Sequence, residues 1–234
     1  MSTYIVAAAA DAAKSEGEKD MAIVYTALGD SLTVGVGAGF FQPGFVPRYK
    51  RKMEEDLKQN VTLAVFAKSG LTTAEILSML DRPFIRNYIE KADAITITGC
   101  GNDLIQSLEA YKREKDQHVF LEASSHCQKN YSAMLKKIRE LKEKNERYFI
   151  RLLNLYNPFP EIELAEKWIS GFNGHLQQLQ ATPYVKIVDI HSVFKGHESE
   201  YLSFDKVHPN SAGYEAIAEK LRASGYKPLK IEEC

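Results

Sequence analysis

Five short runs of apolar, largely β-branched residues punctuate the chain, and each is bounded by polar or Gly/Pro-containing turns. They are "MAIVYTAL" from Met21, "VTLAVFA" from Val61, "DAITITG" from Asp93, "RYFIRLLNL" from Arg147 and "YVKIVDI" from Tyr184. Between them the apolar positions recur at helical spacing. "PRYKRKMEEDLKQ", "TTAEILSML", a long stretch from about Val119 to Asn145 and "IELAEKWISGFNGHLQQLQ" carry this pattern, and "SAGYEAIAEKLRA" closes the series. Near-continuous apolar strands joined by helices, with connections too long for hairpins, predict a parallel sheet covered on both faces. Right-handed crossovers leave few topologies, and the expectation is a three-layer α/β/α sandwich with a five-stranded parallel sheet in flavodoxin-like order. Residues 21–234 read as one domain without repeat or linker. Residues 1–20 read as a loosely attached N-terminal extension.

A chain of 234 residues can bury a full core without disulfides. Thirty basic residues against 31 acidic ones leave no overall field to recruit nucleic acid. The run Lys50-Arg51-Lys52, followed by Glu54, Glu55 and Asp56, reads as the mixed-charge outer face of a helix. Cys100, Cys127 and Cys234 are too few and too scattered for a disulfide framework or a paired-ligand zinc site. No apolar run approaches the ~20 residues that span a bilayer, and "YIVAAAA" lacks the basic start of a signal peptide.

In such a sheet ligands bind beyond the carboxyl ends of the strands, and there the chemistry-bearing residues gather. Gly29-Asp30-Ser31 follows the first strand, "KSGLTT" with Gly70 the second, and "GCGNDL" with Asn102 the third. Near the end of the chain stands "FDKVHPN". A serine hydroxyl needs a base to take its proton and a third group to orient that base. Asp205 and His208 supply both, on the expectation that a turn of helix puts them on one face and that Pro209 starts the helix that follows. Donors for an oxyanion are the backbone N–H groups of Ser31 and Gly70 and the side-chain amide of Asn102. Asp30 is expected to fix the turn through backbone N–H groups, and His191, after the fifth strand, is the alternative base.

The glycines at 35, 37 and 39 do not complete a dinucleotide fingerprint, because Phe40 stands where its third glycine belongs. They read instead as a mobile segment over the nucleophile. Phe40, Phe41, Pro43 and Phe45 then either wall an acyl-chain pocket or pack in the core. Phe159 and Trp168 carry the same two readings.

"GDSLTVGVG", the glycine of "SGLTT", the Asn of "GNDL" and "DKVHP" resemble the four blocks of the SGNH, or GDSL, hydrolase superfamily, in the family's order and across nearly all of the expected domain. The stretches "GDSLTVGVGAGFF", "ITGCGNDL" and "LLNLYNPFP" look most like its lipase and acylhydrolase branch, and are similar to lipases linked to spore germination. The resemblance implies a flavodoxin-like fold and hydrolysis of small-molecule or lipid esters without metal or cofactor. It implies a triad of Ser31, Asp205 and His208, with Gly70 and Asn102 completing the oxyanion hole. It also implies a cytoplasmic or spore-associated location, with secretion the weaker reading. One position departs from the pattern: Cys100 stands where family members commonly have glycine. Within the resembled family, another activity such as thioesterase or carbohydrate deacetylase is the alternative, and two readings outside it explain part of the sequence. A flavodoxin-like module holding a phosphate ligand accounts for the glycines but not for Asp205 and His208, and a metal-dependent phosphoesterase would use Asp30, Asn102, Asp103 and His208.

Overall fold

Residues 22–143, 147–181 and 184–229 are described in the computed structural model of the chain. The expected N-terminal extension, Met21, Asn145 and Cys234 lie outside them. All five expected strands form: β1 (Ile23–Gly29), β2 (Val61–Ala67), β3 (Ala94–Ile97), β4 (Phe149–Leu153) and β5 (Val185–Val188). They are parallel and lie in the order β2-β1-β3-β4-β5. This is the doubly wound order in which the chain reverses direction at β1 and opens a crevice between β1 and β3.

Every residue of β3 and β4 is buried, as expected of strands covered on both faces. On one face pack α2 (Phe45–Leu57), the short α8 (His191–Phe194) and α10 (Ser211–Ala223), whose Phe45, Tyr49, Met53, Phe194, Tyr214 and Ile217 are sealed against the sheet. On the other pack α3 (Thr73–Met79), α4 (Pro83–Lys91), α6 (His118–Lys142) and α7 (Glu163–Gln177), through Ile76, Ile89, Met134, Ile138 and Phe172. Two cores therefore flank one sheet.

Thr72 caps α3 with a reciprocal pair, its hydroxyl accepting from the Glu75 N–H while Glu75 accepts from the Thr72 N–H. Pro83 opens α4 at its first position, where a missing N–H costs nothing. Asn210 caps α10 by accepting from the Gly213 N–H, so Pro209 precedes the cap and does not start that helix.

The basic run on α2 also departs from expectation. Lys50 pairs with Glu54 one turn on, but Lys52 is buried against α10, where it meets Glu215 at 2.6 Å and also Glu219. Arg48 shares Glu215 and donates to Ser211 Oγ at 2.7 Å. Long aliphatic stems let these cations cover apolar surface while their heads reach carboxylates at the rim. Lys52, with Arg48 one turn earlier, is thus part of the α2–α10 contact, while Lys50 and Arg51 keep the outer face expected of the run.

Candidate active site

Ser31 opens α1 (Ser31–Val34), a single turn directly beyond β1. The strand can turn that sharply because position 29 is glycine: a Cβ there would collide with the hydroxyls of Thr98 and Thr33. Asp30 caps the turn, its Oδ1 accepting from the Leu32 N–H at 3.1 Å and from the Thr98 hydroxyl at 2.8 Å. Burial pushes the Asp30 carboxyl up, and its hydrogen bonds with Thr98 and the backbone oppose that shift. Asp30 thereby fastens the end of β1 to the end of β3.

His208 reaches Ser31 across 177 residues of sequence, with Nε2 3.0 Å from Oγ. Its other nitrogen, Nδ1, lies 2.7 Å from Asp205 Oδ2. A carboxylate only accepts, so Nδ1 carries the proton and Nε2 presents a lone pair to the serine hydroxyl.

The expected turn of helix between Asp205 and His208 is absent. Lys206 takes a left-handed conformation (φ 56°), which breaks any helix, and Leu202 bridges Pro209 in antiparallel fashion. Asp205 builds the loop itself. Its Oδ1 accepts from Ser203 Oγ at 2.8 Å and from the N–H groups of Val207 and His208 at 2.9 Å each. Burial raises the Asp205 carboxyl, but the hydrogen bonds from His208, Val207 and Ser203 outweigh it and hold the group well below the usual carboxylate range.

Gly70 and Asn102 follow β2 and β3, the two strands that flank β1. The Lys68 N–H donates to the Gly29 carbonyl and the Thr98 N–H to that of Leu28, tying the start of both loops to the strand that leads into Ser31. Gly70 holds φ +88°, with nothing within 4 Å of where a Cβ would stand. Asn102 is the second residue of α5 (Gly101–Glu114), and its Nδ2 donates to the Leu71 carbonyl at 2.8 Å. A carboxamide nitrogen carries two protons, so one fixes the side chain to the Gly70 loop and one remains to meet a ligand.

Asp103 turns away from this group. Its carboxylate accepts from the Thr73 N–H and hydroxyl at 2.9 and 2.7 Å and caps α3 from outside. His191 pairs with Glu166 at 3.2 Å, beyond β5, and is not the partner of Ser31. Among the described residues no group of three or more His, Cys, Asp or Glu is placed to hold a metal ion.

Cys100 adopts a left-handed φ of 75° at the start of α5, a conformation in which glycine would be unstrained. Its sulfur is joined to Cys127 of α6 in a buried disulfide whose Cα atoms are 6.0 Å apart. Spacing gave no reason to pair two cysteines 27 positions apart; the packing of α5 on α6 does so.

The aromatic wall divides. Phe45 belongs to the core, whereas Phe40 and Phe41 stand in solvent. Trp168 stacks on Phe120 at 5.1 Å. Two tyrosines that the sequence did not mark support the site from below. Tyr156, in the loop after β4, donates to the Val207 carbonyl at 2.6 Å, and Tyr214 of α10 donates to Val36 at the same distance. "LLNLYNPFP" contains Tyr156, but nothing in a lone tyrosine after a strand says which loop its hydroxyl reaches.

Residues 27–216 match the model of the GDSL-like lipase/acylhydrolase family. A spore germination lipase, LipC, of Bacillus licheniformis is 71% identical over 211 residues, covering 90% of this chain and all of that protein. Among solved structures, the lipase Lip_vut3 from a goat rumen metagenome superposes with a TM-score of 0.87 at 71% identity, over 89% of this chain and all of its own. A lipase/acylhydrolase from Enterococcus faecalis shares the fold at 21% identity, with a TM-score of 0.65 over 91% of this chain and all of its own.

Proposed function

The chain belongs to the GDSL-like lipase/acylhydrolase family and is a carboxylic ester hydrolase, and from that premise we propose that Ser31, His208 and Asp205 are its catalytic triad. The observation that carries the proposal is the relay of two hydrogen bonds, Ser31 Oγ to His208 Nε2 at 3.0 Å and His208 Nδ1 to Asp205 at 2.7 Å. Ser31 Oγ attacks the ester carbonyl as Nε2 takes its proton, and the C–O bond to the alcohol breaks as Nε2 returns that proton to the leaving oxygen. Water, deprotonated in turn by His208, then cleaves the acyl-enzyme. The oxyanion is met by the N–H groups of Ser31 and Gly70 and the second Nδ2 proton of Asn102, each worth about 10²–10³ in rate. The first N–H groups of a helix have no intrahelical acceptor, which suits Ser31 to this use.

The 71% identity to a spore germination lipase supports acyl lipids as substrates and the spore as the place of action. No helix among the described residues is long and apolar enough to cross a membrane.

The pH–rate profile tests the mechanism. Because Asp205 is held ionised far into acid, its own protonation adds no second proton to the acid limb of the profile. For p-nitrophenyl butyrate, log kcat/KM should therefore fall with a slope of unity as pH drops, and level off above that limb. A limb two protons steep, or a rate flat into acid, would contradict an imidazole base beside a permanently charged carboxylate.

A further inference from the structure

Most large apolar side chains that reach the surface here are half covered: Phe84, Ile105, Leu108, Leu121 and Ile162 expose 37–54% of their reference area. Phe40, Phe41 and Phe204 differ, at 94%, 102% and 107%. Single exposed apolar residues are ordinary, but three phenylalanine rings held wholly in water on two neighbouring loops are not.

The three belong to two loops in contact. A Cβ on Gly37 would lie 3.0 Å from Ser203 Oγ, 2.9 Å from His208 Cβ and 2.7 Å from the Pro209 carbonyl. Phe204 follows Ser203, and Phe40 is three residues from Gly37, at most ~11 Å of chain. Further along, Ser211 Oγ donates to Gln42 at 3.4 Å. Phe41 itself is held at φ 58°, which a bulky residue seldom adopts. The two loops therefore carry these rings in solvent beside the segment that bears His208.

We propose that Phe40, Phe41 and Phe204 dock the enzyme on a phospholipid surface, so that the mouth over Ser31 opens directly onto ester-bearing lipid. This rests on the reading of Ser31 as the nucleophile. Two observations select a lipid surface. The loops that carry the rings also carry Asp205 and His208, so a protein seated on them would cover the entrance, whereas a lipid surface delivers the substrate through it. Charge does not oppose this: Asp205 and Lys206 balance, the carboxylate of Asp205 is held in four hydrogen bonds inside the loop, and Lys206 is left exposed to meet headgroup phosphates. Rings that project singly suit insertion among acyl chains better than they suit a groove for a folded partner.

The test uses the full chain carrying Ser31→Ala, which spares the lipid, and vesicles of phosphatidylcholine with phosphatidylglycerol. The Ser31→Ala protein should sediment with the vesicles. Adding Phe40→Ser, Phe41→Ser and Phe204→Ser should lower its partition coefficient at least about tenfold, as much as the burial of one such ring supplies, with the unfolding midpoint unmoved. Should the triple variant fail to fold, Phe204→Ser alone should weaken binding in the same direction. Equal binding by the variants, or no binding by the Ser31→Ala protein, would overturn the proposal. So would a dimer of the unsubstituted chain that the phenylalanine variants dissociate, since the covering partner would then be a second copy. Failure of the Ser31 reading shows elsewhere, as turnover of a soluble ester by Ser31→Ala.

Discussion

Replacing Ser31 by alanine should lower kcat/KM for p-nitrophenyl butyrate by about 10⁴–10⁶, equivalent to ~5–8 kcal/mol of transition-state stabilisation. The loss comes from chemistry, because the substitution removes one partly exposed oxygen from the first position of α1, where alanine is an excellent helix former. Asp30 keeps its cap to the Leu32 N–H and its bond to Thr98, so the turn and the sheet edge below it persist. What remains is attack by water, aided only by the oxyanion donors. The comparison to make is steady-state turnover against thermal unfolding of the same preparation: activity should vanish while the midpoint stays within about 2 °C. Substantial residual hydrolysis would place the nucleophile elsewhere.

Asp205→Asn should cost about 10³–10⁴ in kcat/KM with little change in KM, although it alters one atom of the side chain. Asparagine keeps an oxygen to accept from Ser203 and the Val207 and His208 N–H groups, so the loop that Asp205 builds survives. Its NH₂ then faces His208 Nδ1, where the carboxylate had accepted a proton. Two donors cannot share that contact, and the imidazole responds by carrying its proton on Nε2, toward Ser31. In that tautomer it no longer accepts the serine proton. The imidazolium formed in the transition state also loses its counter-charge. Asp205→Ala should fall at least as far and should lose thermal stability too, because the loop's internal acceptor goes with it. Kinetics and unfolding curves on both variants separate the electrostatic loss from the architectural one. Near-wild-type turnover by Asp205→Asn would show that the carboxylate only shapes the loop.

Much of this was legible in the residues because the strands are short, apolar and bounded by turn formers. The same property made their carboxyl ends easy to locate, and with them Ser31, Gly70 and Asn102. Most helices with an apolar stripe against the sheet appeared: α10 lies over the expected residues 211–223, and α6 and α7 fall within a few residues of expectation, whereas the nine-residue α4, with only Ile85 and Ile89 buried, did not. What escaped has weak or non-local causes. Among its fourteen residues α5 buries only Ser107, so no apolar period marks it. Single-turn helices such as α1, α8 and α9 (Glu198–Tyr201) are too short to show a period at all. The Asp205–His208 spacing suggested a helical face, yet the same two side chains meet through a loop closed by the aspartate, and only the left-handed Lys206 decides between these. Lys52 read as surface because its partners, Glu215 and Glu219, lie more than 160 residues away. The support from Tyr156 to Val207 and the Cys100–Cys127 bond are likewise products of packing, which no local pattern encodes.

The central claim is that folding makes one hydroxyl, that of Ser31, a nucleophile by setting it 3.0 Å from His208 Nε2. Its most direct test is peptide mass spectrometry after exposure to a serine-directed alkyl phosphonate ester. The account predicts one phosphonyl adduct per chain, on the peptide containing Ser31, formed as activity disappears and absent from His208→Ala on the same timescale. An adduct on any other serine that tracks the loss of activity, or full inactivation with Ser31 unmodified, would contradict it.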